Sequence, residues 1–344
     1  MASATRPGQV QNESILSRSL WAIVLTIVVL IVVVSYAQQA LSSSDDEAVG
    51  FGPSLTLWVA GAQSGGQTVS VATQAASCWE LHGHSTTVGV LPGGSATAVA
   101  EFLDGVRGKP DELLLITSTT LADIAHDQRD PLLGDESRER AERAEQMLSA
   151  AAPIAILASD PLTLTVAAHS PIHNTDELFE RIRHFSSRPL LDVAADSWLR
   201  GNLAALVEQA GVQGVVPYGV FGSSREAIAN VAGDGEEVGL TPYSAVRADL
   251  QSGRLREIRW PGGRPPRTWM AILAPAGLAR EEIAALRRQA RGLCAGGAWA
   301  EVLRTDGLHP VLPGAVGLGS FVPDGIREAA RLQVLARRIM RDYG

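Results

Sequence analysis

The sequence has few cysteines and no cluster of metal ligands. Cys78 and Cys294 are the only two thiols among its 344 residues. Neither belongs to a Cys-x-x-Cys or Cys/His cluster, so we predict no metal site. Outside the cell the two thiols form either one disulfide or two separate buried groups. His82 and His84 have no third ligand near them in the sequence, and we interpret them as exposed loop residues.

The sequence motifs of common enzyme classes are missing as well. There is no Gly-x-Ser-x-Gly elbow, no GxxxxGK[ST] phosphate loop and no GxGxxG after a predicted strand. No pair of carboxylates stands at the end of an apolar strand, where a raised pKa would mark a general acid or base. We therefore predict that the chain is not an enzyme and has no catalytic residues and no cofactor.

The chain also lacks an excess of positive charge. It has 29 Lys and Arg against 37 Asp and Glu, which gives a net charge of -8. Proteins that bind nucleic acid need a basic face to displace counterions, so we predict no nucleic-acid partner. The hydrophobic share of 46% and charged share of 19% are typical of a globular chain with one membrane segment.

One long apolar run stands near the N-terminus. Leu20–Val34 contains a single polar residue, Thr26, and residues 20–37 together number eighteen. A membrane-spanning helix needs at least about 17 apolar residues. Residues 20–37 are therefore predicted to be an uncleaved transmembrane anchor. The alternative is a cleaved signal peptide that ends at Ser35-Tyr36-Ala37.

The charges around this run predict its orientation. Arg6 and Arg18 precede it, and the acidic group Asp45–Glu47 follows it. The positive-inside tendency places residues 1–19 in the cytoplasm and the rest of the chain outside. Residues 38–53 are short and polar, and we interpret them as a linker. We expect the folded part to be extracytoplasmic on a single-pass cell-membrane anchor, or secreted if the signal is cleaved.

From residue 54 onward, short apolar runs alternate with segments of helical periodicity. Leu55–Ala60, Thr86–Leu91 and Leu113–Thr117 are predicted strands, and Thr68–Leu81 and Ala96–Val106 are predicted helices between them. The same alternation continues to a last predicted helix over residues 323–342. It indicates an α/β fold with a parallel sheet covered by helices on both faces.

Polar turns rich in glycine, serine and threonine separate several of these strands from the helices that follow. Five of them are Gln63–Thr68, Pro92–Thr97, Thr117–Thr120, Ala195–Trp198 and Thr241–Tyr243. In a parallel sheet such turns meet at the carboxyl edge of the strands. Helix starts there present free N–H groups and a partial positive charge, and glycine lets an anion come close. The pattern predicts a carboxylate site without a cationic side chain. The other interpretation is that these residues only form turns and helix caps.

The order of several short segments resembles that of one known family, the solute-binding proteins of tripartite tricarboxylate transporters, or Bug proteins. The resemblance runs from about residue 54 to the C-terminus, and no single motif carries it. Its segments are Leu55–Thr68, Pro92–Ala98 (PGGSATA), Asp111–Ser118 (DELLLITS), Pro161–Leu178, Val216–Tyr218 (VPY), Ser252–Arg256 (SGRLR) and Ala274–Gly277 (APAG). The chain departs from the family at Val69, where Asp is frequent, at Ser95, where Asn is frequent, and in the charged helix around Arg140. We identify it as a divergent member.

The resemblance implies a two-lobe, periplasmic-binding-protein-like (type II) fold after the N-terminal transmembrane helix. Lobe 1 is expected to contain residues 54–160 and 270–344, and lobe 2 residues 161–269, with hinges near Thr163–Ala167 and Thr268–Ile272. It also implies that a small carboxylated solute is captured between the lobes for membrane permease subunits. Two rivals are a membrane-anchored sensor or scaffold that kept the fold without transport, and an enzyme on the same fold.

The predicted ligand-binding residues combine the five turns with two aromatic residues. Trp198 and Tyr218 are expected either as apolar walls of the site or as core residues. The full predicted set is Gln63, Ser64, Gly66, Thr68, Gly94, Ser95, Thr97, Ser118, Ser197, Trp198, Tyr218 and Thr241.

Overall fold

The computed structural model describes residues 54–60, 66–80, 85–106, 109–184, 190–212, 214–234, 236–311 and 317–343. The predicted cytoplasmic segment 1–19, the anchor 20–37 and the linker 38–53 lie outside the described residues. In the part of the chain that is described, no helix is both long enough and apolar enough to cross a membrane.

The strands and helices alternate along the chain, as predicted. The strands are β1 Ser54–Val59, β2 Ser85–Val90, β3 Glu112–Thr117, β4 Ala152–Ala167, β5 Leu191–Ala194, β6 Val216–Phe221, β7 Val238–Pro242, β8 Leu255–Ile258, β9 Arg267–Ala274 and β10 Met340–Tyr343. The helices are α1 Gln67–Glu80, α2 Ser95–Gly105, α3 Ser118–Asp127, α4 Asp135–Ala150, α5 Thr175–Arg183, α6 Ser197–Gln209, α7 Ser224–Asp234, α8 Tyr243–Gln251, α9 Arg280–Ala295, α10 Gly297–Asp306 and α11 Leu318–Ile339.

The long strand β4 joins two sheets. Its first part pairs with β9 as far as Pro161, which lies opposite Arg267. From Leu162 onward it pairs with β7 instead. The hydrogen-bonded order is β10-β6-β5-β7-β4-β9-β3-β1-β2, with β8 added to β4. The result is the two-lobe α/β fold, with β4 and β9 as the strands that cross between the lobes.

The prediction of a parallel sheet is correct only for the outer strands of each lobe. β1, β2 and β3 are parallel to one another, and so are β5, β6, β7 and β10. β4, β8 and β9 pair antiparallel with their neighbours. β4 and β9 run in opposite directions because one takes the chain into the second lobe and the other brings it back.

The C-terminal helix contacts both lobes. α11 packs against α3 of the first lobe and α6 of the second. The predicted helix over residues 323–342 begins at Leu318 and ends at Ile339. The chain then forms β10, which pairs with β6 in the second lobe. Residues 270–344 are predicted to belong to lobe 1, but their last part contacts both lobes and ends in the sheet of lobe 2. The other predicted lobe boundaries stay a prediction.

Helices cover both faces of the first-lobe sheet. Leu113 and Leu114 are consecutive in β3, so their side chains point to opposite faces. Leu113 packs in a core with residues of α1, α9 and α10, such as Trp299. Leu114 packs in a separate core with residues of α2, α3, α4 and α11. The second lobe has its own core around Val193.

The two cysteines are free thiols. Cys78 is buried and Cys294 is partly buried, and no disulfide joins them. Burial raises the pKa of both, that of Cys294 to about 11. The structure therefore agrees with two separate thiols and not with a disulfide.

Close packing of α6 on α11 requires glycine at position 201. A Cβ atom at Gly201 would lie 2.7 Å from the Cβ of Leu332, whereas a Cβ at Gly233 in α7 would meet no atom within 4 Å. We predict that Gly201→Ala lowers the free energy of unfolding by about 1–3 kcal/mol, because the helices must move apart. Gly233→Ala, the matched control, should raise it by about 0.5–1 kcal/mol through helix propensity. Urea denaturation measures both, and equal effects would contradict this packing.

Candidate functional site

A cavity of about 270 Å³ lies where the two lobes meet. Each of the five predicted turns supplies at least one residue to its wall. The first three turns belong to lobe 1, the last two to lobe 2, and the crossing strand β9 completes the wall. The lining residues are Ala60, Gly66, Gln67, Thr68, Ser95, Thr117, Thr119, Thr120, Asp123, Asp196, Pro242, Thr268, Trp269 and Met270.

Two helices of lobe 1 begin at this cavity with backbone N–H groups that are free of partners within the helix. The first helical hydrogen bond of α1 runs from Ser70 N to Gly66 O at 3.1 Å, and that of α2 from Ala98 N to Gly94 O at 3.0 Å. The three N–H groups before each of these bonds have no partner within the helix. The residue before α2 is Gly94, which has no side chain to accept from them. These two helix starts therefore give the cavity hydrogen-bond donors and a partial positive charge.

The other helix starts at the cavity are capped by side chains. Thr117 and Thr120 form a capping box at the start of α3. Asp196 caps α6 by accepting from Leu199 N at 2.9 Å. At the start of α8, Ser244 N donates to the Asp160 carboxylate at 3.3 Å. At least one N–H donor at the start of each of α3, α6 and α8 is thus used within the protein, whereas Gly94 before α2 has no side chain that could accept in this way.

Two side-chain hydrogen bonds connect the lobes beside the cavity. Thr119 Oγ1 of α3 donates to Asp196 Oδ2 at 2.8 Å. Gln67 Nε2 of α1 donates to Ser244 Oγ of α8 at 3.0 Å, and Ser244 in turn donates to Asp160. The structure is therefore a closed arrangement in which polar contacts hold both lobes against the cavity.

The charged groups in the cavity wall are acidic. Asp123 and Asp196 line it, and none of the described lining residues is Arg, Lys or His. Burial raises the pKa of Asp123 to about 6, although hydrogen bonds from Ser197 and from Ser95, the latter at 3.0 Å, act against this. Burial also raises the pKa of Asp196. Arg200 lowers that pKa without lining the cavity.

An aromatic side chain forms the apolar part of the wall. Trp269 of β9 lines the cavity next to Met270. Phe321 of α11 packs edge-on against Trp269, with ring centroids 4.6 Å apart. This contact fixes the indole at one position, so the cavity combines polar helix starts with a rigid apolar surface.

The predicted site residues divide into several groups in the structure. Gly66, Thr68 and Ser95 line the cavity. Gly94 is the residue before α2, and Thr97 lies in its first turn, so both are beside the cavity but outside its wall. Gln63 and Ser64 lie outside the described residues.

The remaining predicted residues are buried next to the cavity or away from it. Ser118, Ser197 and Thr241 are buried beside the lining residues Thr119, Asp196 and Pro242. Trp198 packs in the core shared by α3 and α11. Tyr218 packs in the core of lobe 2, because β6 lies between two strands and under α7. These two aromatic residues are core residues and not walls of the cavity.

Several lining residues were not predicted. Asp123 follows Thr119 by four residues in α3, a spacing that puts both on one helix face and is visible in the sequence. Thr268 and Trp269 were read only as part of a hinge. Asp196 stands in the fourth turn, of which only Ser197 and Trp198 belong to the predicted set.

Among the described residues, no group of three His, Cys, Asp or Glu side chains is arranged to hold a metal ion. The wall of the cavity combines hydrogen-bond donors, two carboxyl groups and an apolar surface. This combination suits reversible binding of a small polar molecule.

The two-lobe architecture and the cleft define the fold of the periplasmic binding proteins, and solved structures agree. A TctC solute-binding protein from Polaromonas is 17% identical, with a TM-score of 0.63 over 83% of this chain and 98% of that chain. A Rhodopseudomonas palustris protein solved with adipate is 18% identical, with a TM-score of 0.61 over 85% and 100%. MatC from the same organism, with bound malate, is 16% identical, with a TM-score of 0.59 over 83% and 100%.

These likenesses confirm the resemblance to tricarboxylate-type solute-binding proteins at the level of the fold, which is all that such low identities show. The Polaromonas neighbour is a solute-binding protein by name, which is said of that protein alone. The family model for the LysR substrate binding domain matches residues 151–295, less than half of the chain. The chain has no match among curated proteins.

The raised pKa of Asp123 predicts how stability changes with pH. The ordinary pKa of 3.8 rises to about 6 in the folded protein, so between these values the folded state binds more protons than the unfolded state. Protonated Asp123 therefore contributes its full stabilisation below pH 3.8, and this stabilisation is lost as the pH rises through 6.

Asp123→Asn should remove this loss while its amide oxygen still accepts from Ser95. We expect the variant to be more stable than the wild type at pH 8, by about 3 kcal/mol, and to show little difference at pH 4. Thermal unfolding between pH 4 and pH 8 measures this, with Asp104→Asn, at an exposed carboxylate of α2, as the control. Parallel curves for wild type and Asp123→Asn would contradict the assignment.

Proposed function

We propose that this protein is an extracytoplasmic solute-binding protein that captures a small carboxylated solute between its lobes and delivers it to permease subunits of a tripartite tricarboxylate-type transporter. The observation that carries the proposal is the single cavity whose wall contains residues from all five strand-to-helix turns. Two of these turns leave backbone N–H groups free, and such groups bind carboxylates without a cationic side chain.

The fold and the neighbours support delivery of such a solute. The two lobes are joined by β4, β9 and α11, so opening and closing by a hinge motion is the natural way for a solute to enter. Two neighbours of the same fold were solved with malate or adipate, both of which are carboxylates.

Ligand screening tests the proposal. The full chain, solubilised in mild detergent, is melted with mono- and dicarboxylates, amino acids, aromatic acids, neutral sugars and cations. We expect a carboxylate to raise the melting temperature, because a ligand at 100 times its Kd adds about 2.7 kcal/mol to stability. A rise produced only by a sugar or a simple cation would overturn the proposal.

A pair of variants on one helix places the binding in the cleft. Thr68 of α1 lines the cavity, whereas Thr73 of the same helix is exposed outside it. Thr68→Trp fills the cavity and should abolish the shift caused by the carboxylate. Thr73→Trp adds the same side chain to the surface and should leave the shift unchanged. Equal shifts in both variants would place the binding elsewhere.

The second candidate is a membrane-anchored sensor or scaffold that keeps the fold without transport. The length of the apolar run 20–37 favours it, because an anchored receptor cannot diffuse to many permeases. Mass spectrometry of the mature N-terminus separates the two candidates. A chain that begins at Gln38 is a free receptor and excludes the anchored sensor, whereas an intact N-terminus favours the sensor.

A further inference from the structure

The charge of the cavity wall restricts which carboxylated solute it accepts. A second carboxylate on the solute would lie close to Asp123 or Asp196, and none of the described lining residues offers a cation to balance it. Repulsion between like charges is strong in a partly buried site. The N–H groups at the starts of α1 and α2 suit one carboxylate of the solute. The acidic side chains in the rest of the wall repel a second carboxylate.

The two carboxyl groups have different roles. Asp196 accepts from Leu199 N, from Thr119 across the cleft and from the Trp198 backbone, so it has one partner more than Asp123. Asp123 accepts from Ser95 Oγ at 3.0 Å and from the Ser197 side chain. A carboxylate has about four acceptor positions. Asp123 therefore keeps the capacity to accept from a donor group on the solute.

The apolar wall and the size of the cavity agree with a short chain that carries one group at each end. The 270 Å³ of the cavity corresponds to about nine water molecules. Trp269, which packs edge-on against Phe321, adds an aromatic ring to the wall. The face of such a ring attracts a cation through its ring electrons.

We propose that the solute is a small amino-carboxylate whose carboxylate binds the helix starts of α1 and α2 and whose ammonium group binds Asp123. This inference rests on the proposed function, since it names the class of carboxylated solute that the same cavity takes. Asp123 is then the residue that makes the site prefer amino-carboxylates to dicarboxylates.

Calorimetric titration of the full chain in mild detergent tests the preference. The probes are the amino-carboxylates 4-aminobutyrate, 5-aminopentanoate and alanine, and the dicarboxylates succinate and glutarate, which are similar in length to the first two. We expect at least one amino-carboxylate to bind at least tenfold more tightly than either dicarboxylate. This comparison uses the wild type alone and does not depend on the folding of any variant.

Two variants of α3 then assign the preference to one residue. Asp123→Asn should weaken binding of the amino-carboxylate at least tenfold and should not weaken binding of the dicarboxylates. Asp127→Asn removes the same charge from the same helix outside the cavity wall and should leave all affinities within about twofold. An equal loss in both variants, or no loss in Asp123→Asn, would overturn the role of Asp123.

The outcomes separate this inference from the proposed function. Tighter binding of succinate or glutarate than of every amino-carboxylate would overturn the inference and leave the proposed function intact. If no compound with a carboxylate binds in the titration or the melting screen, the proposed function fails, and the inference fails with it.

Discussion

The site depends on one constraint, the passage of a single strand through two sheets. β4 pairs with β9 in the first lobe and with β7 in the second, and the change of partner falls between Pro161 and Leu162. Because both lobes are built on the same strand, the carboxyl edges of their parallel strands face a common gap. Turns that are far apart in the sequence, such as those at Thr68 and Asp196, thereby line one cavity.

The helix starts at that gap differ in whether a side chain of the protein accepts from their N–H groups. Thr117, Asp196 and Asp160 satisfy the starts of α3, α6 and α8. The starts of α1 and α2 follow turns in which glycine leaves room for an anion. Asp196, which caps α6 and accepts from Thr119 across the cleft, is also one of the two carboxyl groups that make the wall acidic. The contacts that hold the lobes together thus also determine part of the charge that a solute would meet.

Much of the fold could be predicted from local patterns, because the apolar runs and helical periodicity reflect burial of one strand or one helix face. The direction of β4 and β9 could not, since it depends on pairing between residues about a hundred positions apart, such as Asp160 with Thr268. β4 also continues through Asp160-Pro161, where the Asp160 carboxylate is buried and accepts from Ser244 of the second lobe, a contact between residues far apart in the sequence.

The parts of the site that consist of turn backbone could be predicted from the sequence. The side chains that line it were harder to predict. Glycine and hydroxyl residues at strand ends indicated the turns that carry Gly66, Thr68 and Ser95. Trp198 and Tyr218 were ambiguous because an aromatic side chain beside a turn suits a core as well as a wall. Asp123 was missed because its position in the cavity depends on α3 packing next to α2 and α6, a tertiary contact that one sequence does not reveal.

The central claim is that the free N–H groups at the starts of α1 and α2 bind the carboxylate of the solute. Hydrogen-exchange mass spectrometry with and without the tightest-binding carboxylate measures this directly. We expect slower exchange of the amides at residues 67–69 and 95–97, with little change in the capped first turn of α6. Protection confined to other parts of the chain, with no change at these two helix starts, would contradict the account.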